Sequence, residues 1–151
     1  MKIIQYVVFA FIIIFLNNCN ISKSVSEKNI LIELEKTLCS GKCPTFSVKI
    51  ATNGLVIYEG KENVDKIGIY KSKLSKDQLN ELTDKFNKAN FFSFKNSYKS
   101  SMMDLPTKFI TYSKNGQKKR IKAYDNIPKE ISYLIKQVDK LIESLEWKKI
   151  D

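Results

Sequence analysis

The chain has 151 residues, of which 26 are Lys or Arg, 16 are Asp or Glu, three are Cys and none is His. The composition, 43% hydrophobic and 28% charged, is typical of a folded protein, and the length suits one domain. The absence of His excludes Ser-His-Asp and Cys-His catalytic arrangements and every His-ligated metal site. Phosphate-binding glycine loops and nucleophile motifs are also missing, so the sequence does not indicate an enzyme class.

The N-terminus has the layout of an export signal. Lys2 supplies a positive charge, and residues 3–16 are apolar or aromatic except for Gln5. This apolar run fits a secretory signal and is shorter than the ~20 residues with which a helix spans a bilayer.

The apolar run ends in LNNC at residues 16–19, which resembles the lipobox of bacterial lipoproteins, although Asn18 stands where Gly, Ala or Ser is usual. The resemblance implies that Cys19 becomes the first residue of the mature chain and carries a thioether-linked diacylglycerol. We therefore predict a signal peptide over residues 1–18 and a lipidated cysteine with a polar tether over residues 19–29, reaching at most ~35 Å. An uncleaved signal anchor with a chance cysteine is the alternative.

These features predict a protein of the cell envelope, anchored by its lipid to a bacterial membrane, on the periplasmic side of the outer membrane or at the surface. Without residues 1–18 the chain keeps 25 basic residues, since only Lys2 is lost, against 16 acidic ones, a net charge of +9. Arg120 is the only arginine, whereas nucleic-acid recognition favours arginine, so we expect no nucleic-acid partner. Mild attraction to anionic lipid headgroups stays open.

Alternation of apolar and polar residues, the period of a half-buried strand, predicts an antiparallel sheet. The pairs Asn53-Gly54 and Asn115-Gly116 predict hairpin turns, the first of type I′. A polar turn is predicted over residues 60–65. The strands predicted in this way cover residues 30–35, 45–51, 55–58, 66–71, 108–113 and 118–124.

Two amphipathic helices complete the predicted elements. The first covers residues 75–89, where Ser75 and Gln78 form a capping-box pair. The second begins with Pro128 as its first helical residue and keeps helical spacing of apolar residues to Leu145. We predict a single α+β domain over residues 30–151, an antiparallel sheet of two Asn-Gly hairpins plus flanking strands with both helices packed on one face.

Three motifs stand in a particular order along this domain. The sequence CSGKCP at residues 39–44 follows the first strand, DLP at residues 104–106 precedes the second hairpin, and Trp147 ends the last helix. In this order they resemble the bacterial envelope domain known as domain of unknown function family 6438, over about residues 30–148. The resemblance implies an envelope protein of lipoprotein type and supplies no activity.

Cys39 and Cys43 are the cysteines that remain once Cys19 is lipidated, and outside the cytoplasm such a pair is expected to form a disulfide. The intervening residues, including Gly41, let the Cα atoms approach within ~6 Å, so the bridge would shape the turn between two strands. The alternative is a redox or Cu(I) site, because the loop also resembles that of Sco-type copper chaperones. The missing His and the strand that follows depart from that pattern. Apart from this Cu(I) alternative, no metal or cofactor is expected.

Tyr98 and Asp104 form a second candidate site on the loop before the second hairpin. Asp104 would act there as a site carboxylate, although an aspartate before Leu-Pro is also a common turn former. Tyrosines on the predicted strands would add a binding surface if several shared the uncovered sheet face; these are Tyr58, Tyr70, Tyr98, Tyr112 and Tyr124.

The function that these features favour is a membrane-tethered, non-enzymatic envelope module, either binding or structural. Its open sheet face or its disulfide loop would contact an envelope protein or a glycan. The alternative is a thiol–disulfide redox or Cu(I)-handling protein that uses Cys39 and Cys43.

Overall fold

A computed structural model describes residues 29–99 and 105–150. The predicted signal peptide over residues 1–18, Cys19 with most of its tether, and Asp104 lie outside the described residues. The elements are β1 (Ile30–Lys36), β2 (Thr45–Ala51), β3 (Leu55–Glu62), β4 (Gly68–Lys73), α1 (Lys76–Lys88), a 3-10 turn (Phe91–Ser93), β5 (Ser97–Tyr98), β6 (Lys108–Lys114), β7 (Gln117–Ala123), α2 (Lys129–Glu143) and β8 (Lys148–Lys149).

The described strands form one sheet in the order β5-β7-β6-β1-β2-β3-β4-β8. Every neighbouring pair is antiparallel except β5 with β7. The two hairpins, β2-β3 and β6-β7, attach to opposite edges of β1, which therefore lies inside the sheet. The predicted α+β class and the sheet of two hairpins with flanking strands are confirmed.

Both helices cover one face of this sheet and close the core against it. Ile32 and Leu34 of β1 are fully buried on that face, and the ring of Phe86 on α1 lies 4.9 Å from that of Tyr112 on β6. The helix α2 adds an apolar stripe of five buried residues. Among the described residues, the core cluster extends from Ile32 to Ile142. No helix of the described residues is long and apolar enough to cross a membrane.

The two Asn-Gly hairpins close with different turns. Asn115 and Gly116 both have positive φ, 51° and 78°, as a two-residue type I′ turn requires. In the first hairpin Gly54 has a φ of 81° but Asn53 does not share the positive range. The Gly54 N–H donates to the Ala51 carbonyl at 2.9 Å, so the loop has three residues and ends in a left-handed glycine. The predicted type I′ turn is therefore wrong at this hairpin, because three residues, 52–54, connect β2 to β3 instead of two.

The helix starts follow the sequence closely. Ser75 Oγ accepts the Gln78 N–H at 3.1 Å and Gln78 Oε1 accepts the Ser75 N–H at 2.9 Å, which confirms the capping box. Pro128 precedes α2 and is not its first residue, because its ψ of 146° keeps it extended. Its carbonyl accepts the N–H of Ser132 at 3.1 Å, as expected of the residue that caps a helix.

The strand β3 continues through Gly60, where the sequence predicts a polar turn. A Cβ atom at Gly60 would lie 1.7 Å from the Lys66 carbonyl oxygen and 2.9 Å from the ring of Tyr58. Only glycine permits this close approach, which brings the loop of residues 63–66 back over the end of β3.

We expect Gly60→Ala to lower the free energy of unfolding by about 3 kcal/mol or more, because a clash with backbone cannot be relieved by a side-chain rotation. Gly116→Ala is the control, since its Cβ would meet nothing within 4 Å and its cost of about 1 kcal/mol comes from the positive φ alone. Urea unfolding of both variants measures the difference, and equal losses would contradict the argument.

Candidate functional site

The sheet has a turn end and a loop end. At the turn end the hairpins close, and the chain enters β1 at Asn29, whose carbonyl accepts the N–H of Thr52 at 2.9 Å. The longer connections lie at the loop end, where β1 and β3 finish and β6 begins. Loops held by a rigid scaffold are where binding residues concentrate, so the loop end is the part of the fold suited to recognition.

The predicted disulfide lies at the loop end. Cys39 and Cys43 are bonded, with their Cα atoms 5.8 Å apart. Both cysteines are half-buried, whereas residues 40–42 are exposed. The Asn63 side chain donates to the carbonyl of Cys43 at 3.1 Å and joins this loop to the one that follows β3. The chain continues from the bridge into β2, so no helix N-terminus acts on the sulfurs, as the sequence predicts.

The second predicted site is described in part. Tyr98 lies on β5, and its hydroxyl accepts the N–H of Lys95 at 3.2 Å. Asp104 lies outside the described residues, so their pairing stays a prediction. The residues after it meet the disulfide loop, because the Thr37 N–H donates to the carbonyl of Thr107 at 3.0 Å. The segments that carry the two sequence motifs are therefore neighbours at the loop end.

The tyrosines do not build a surface on the open face. Tyr58 and Tyr112 are 8% and 0% exposed, since they lie opposite the buried residues Val48 and Ile32 on the helix-covered side. The ring of Tyr70 packs on the same side, 6.4 Å from that of Tyr58. The sequence hypothesis of a shared tyrosine surface is wrong for these three, because the register turns them toward the helices.

A cleft of about 340 Å³ lies at the loop end, on the helix-covered side. Its walls come from the ends of β1, β2 and β3, the loop after β3, the last turns of α2 and the segment that follows. The apolar lining consists of Pro44, Phe46, Tyr58, Val64, Ile142 and Trp147, and the polar lining consists of Lys36, Asn63, Asp65, Lys66, Asp139 and Glu143. The disulfide loop forms part of the rim through Pro44.

Tyr58 is the cleft residue that most needs a partner. Its ring packs against those of Phe46 and Trp147, with centroids 5.3 and 5.4 Å away. Its hydroxyl makes no hydrogen bond with any residue that the structure describes, although a tyrosine buried to this degree ordinarily finds one. Burial, followed by the charge of Asp65 and by Tyr70, raises the pKa of Tyr58 above its usual value, so at neutral pH the hydroxyl is protonated and able to donate.

An ion pair forms the polar wall of the cleft. Lys36 Nζ donates to Asp139 Oδ2 at 2.8 Å and lies 2.8 Å from Oδ1, and the two side chains are 16% and 24% exposed. Nζ also lies 5.1 Å from the centroid of the Phe46 ring, within the range of a cation–π contact. The pair ties the end of β1 to α2 with charges that are largely withdrawn from water.

The charge of the lining differs from that of the whole chain. Asp65, Asp139 and Glu143 supply three carboxylates against the two ammonium groups of Lys36 and Lys66, a balance of −1. The whole chain has a net charge of +10. Carboxylates, an amide, a phenol and aromatic rings suit the binding of a ligand that has both hydroxyl or amine groups and an apolar face. Within residues 29–99 and 105–150, no three His, Cys, Asp or Glu side chains converge as metal ligands would.

Sequence reasoning found the cysteines of this region and missed the cleft beside them. Lys36 and Asp139 are 103 positions apart, and no local pattern joins them. One signal was present in β1, where Lys36 continues the inward alternation of Ile32 and Leu34. A charged residue at an inward position indicates a partner elsewhere in the chain.

We expect Tyr58→Phe to leave the free energy of unfolding within about 0.5 kcal/mol of wild type, because no hydrogen bond is lost. The matched variant Tyr112→Phe should cost about 1 kcal/mol, since that hydroxyl donates to Asn87 Oδ1 at 3.0 Å. Urea unfolding compares the two. A larger loss for Tyr58→Phe than for Tyr112→Phe would show that the hydroxyl in the cleft already has a partner.

We expect Lys36→Met to lower the free energy of unfolding by about 2 kcal/mol, because it leaves the carboxylate of Asp139 without its counter-charge. The double variant Lys36→Met with Asp139→Leu should recover most of that loss, since neither charge then remains. A double-mutant cycle by urea unfolding measures the coupling. Additive losses would contradict a direct interaction.

Comparison with protein families extends over most of the chain. Residues 30–142 match the family described as domain of unknown function (DUF6438), which confirms the predicted resemblance to that family. The match includes the disulfide loop and all of the cleft except Glu143 and Trp147. Neither the curated proteins nor the solved structures contain a match to the chain. The chain belongs to the DUF6438 family.

Proposed function

We propose that the protein is a membrane-tethered envelope lipoprotein whose domain binds a ligand, without catalysing a reaction, in the cleft beside the disulfide loop. The observation that carries this proposal is Tyr58. Its ring is almost fully buried, yet its hydroxyl lines an open cleft and has no partner in the described residues. A bound ligand would supply the missing hydrogen bond.

The lining supports an envelope glycan as the ligand. The rings of Tyr58 and Trp147 offer apolar surface, while Asn63, Asp65 and Glu143 offer hydrogen-bond partners for hydroxyl groups. The volume of about 340 Å³ lies at the small end of ligand-binding clefts and suits one or two sugar units. The excess of carboxylates favours neutral or amino sugars over acidic ones, because an acidic sugar would meet like charge.

The position of the tether supports a cleft that is open to ligands. The chain enters β1 at the turn end, and the strand reaches the cleft at Lys36. Seven residues of strand separate the two ends by about 20 Å. A domain anchored through Cys19 would therefore carry its cleft at the end remote from the anchor.

Trp147 is the only tryptophan of the chain and lines the cleft, so its fluorescence reports on binding. We expect a saturable change in emission when the protein is titrated with the N-acetylglucosamine disaccharide or its deacetylated form. Tyr58→Phe should weaken the affinity by about tenfold, because one hydrogen bond to the ligand is lost.

Tyr133→Phe is the control for this titration, since Tyr133 is 48% exposed on α2 and lies outside the cleft. It should bind the disaccharides as wild type does. Absence of a saturable change with either sugar, or an equal loss in both variants, would contradict glycan binding at the cleft. If an envelope protein saturated the fluorescence change instead, and Tyr58→Phe weakened its binding, the cleft would remain the binding site and its ligand would be that protein.

Thiol–disulfide exchange or Cu(I) handling by Cys39 and Cys43 is the second candidate function. One observation favours it, namely that residues 40–42 between the cysteines are exposed and leave the bridge accessible. Because β2 follows the loop and no helix terminus stabilises a thiolate, we expect a reduction potential below about −300 mV and no tight Cu(I) binding by the reduced pair. A potential of about −120 to −200 mV, or stoichiometric Cu(I) capture, would make the loop the active site.

A further inference from the structure

The sheet face opposite the helices is uncovered, and at its centre the charges are paired. Arg120 Nη2 lies 2.6 Å from Glu35 Oε2, and Lys49 Nζ lies 3.9 Å from Glu33 Oε1. The Arg120 guanidinium also covers the ring of Phe109 at 4.2 Å. The middle of this face therefore has little free charge and little exposed apolar surface.

The β4–β8 edge of the same face carries lysines that stand outside these ion pairs. Lys71 lies opposite Ile57 on β3 and opposite Lys148 on β8, and Lys73 lies two positions further on the same side. All three lysines are exposed, and none of them belongs to an ion pair within the described residues. Lys71 and Lys148 thus leave the sheet from directly opposite positions on neighbouring strands at its rim.

Exposed isoleucines accompany these lysines. Ile67, Ile69 and Ile150 are 52%, 36% and 47% exposed, and they make up half of the six large hydrophobic side chains that are exposed in the described residues. The Ile150 N–H donates to the carbonyl of Ile69 at 3.0 Å, so these two lie next to each other. The lysine–isoleucine edge is the set Ile67, Ile69, Lys71, Lys73, Lys148 and Ile150.

We propose that the lysine–isoleucine edge docks on an anionic lipid bilayer. Ammonium groups attract acidic headgroups, and exposed isoleucines enter the interfacial region between them. A second copy of the chain is a poorer occupant, because edge-to-edge pairing would bring unpaired lysines of both copies together. Of the proposed function the inference uses only the tether, which keeps the start of β1 within ~35 Å of the membrane, so a weak contact suffices.

The docking edge and the cleft lie on different faces of the sheet. Lys71 and Lys73 belong to the uncovered face, whereas the cleft opens on the helix-covered side and adjoins the edge at Trp147. Contact of the edge with lipid therefore does not use the lining of the cleft.

The test uses sedimenting vesicles and residues 20–151, which lack Cys19 and contain every residue of the core cluster that the structure describes. We expect binding to vesicles of phosphatidylethanolamine and phosphatidylglycerol, weakening as salt is added, and no binding to phosphatidylcholine alone. The triple variant Lys71→Gln, Lys73→Gln and Lys148→Gln should bind about a hundredfold more weakly, since each lysine near the surface contributes separately.

The matched control is Lys76→Gln, Lys129→Gln and Lys136→Gln, which removes the same charge from exposed positions on the two helices. It should keep most of the affinity. Equal losses in the two triple variants would overturn the proposal, because attraction would then come from net charge alone. Equal binding to phosphatidylcholine, or a dimer that the edge variant dissociates, would also overturn it.

The isoleucines are tested by the double variant Ile69→Ser with Ile150→Ser, which should reduce the vesicle binding that remains at high salt. Unchanged binding would overturn their part in the contact.

The cleft is tested separately. Tyr58→Phe should bind vesicles as wild type does. If the protein does not bind vesicles, the proposed ligand site is unaffected, and if it does not bind the glycan, the proposed membrane contact is unaffected.

Discussion

The fold depends on the two-residue period of β1, which pairs with β2 and β6 at once. Its inward positions place Ile32 and Leu34 in the core, and the same period turns Lys36 inward at the last position. A one-residue shift of register would expose the core residues and bury the glutamates instead. The alternation that places apolar residues in the core therefore also places the ammonium group of Lys36 in one wall of the cleft.

The cleft forms at the end of β1, where three contacts bring other segments of the chain close to it. Gly60 lets the loop after β3 fold back, Asn63 joins that loop to the disulfide, and Asp139 brings α2 to Lys36. The disulfide loop contributes Pro44 to the rim. Tyr58 lies between these supports, and its hydroxyl makes no hydrogen bond with a described residue, so it is able to donate to a molecule in the cleft.

Local sequence patterns were sufficient to predict the helices and strands but not the cleft. The capping box of Ser75 and the alternation of β1 are short-range properties, and the structure has both. At the first hairpin the Asn-Gly pair suggested a two-residue turn, whereas the predicted strand ends at residues 51 and 55 already left a loop of three residues, in which only Gly54 has positive φ. The cleft depends on contacts between residues as far apart as Lys36 and Asp139, and such contacts follow from strand order and helix placement.

The attachment of the N-terminal segment to β1 has a mechanical consequence. A force that pulls on this segment acts along a strand that is hydrogen-bonded to neighbours on both sides. The bonds of both ladders are then loaded together in shear and cannot open one after another, as they would at a peeled edge strand. The domain therefore takes up tension on this segment through a strand that is paired on both sides.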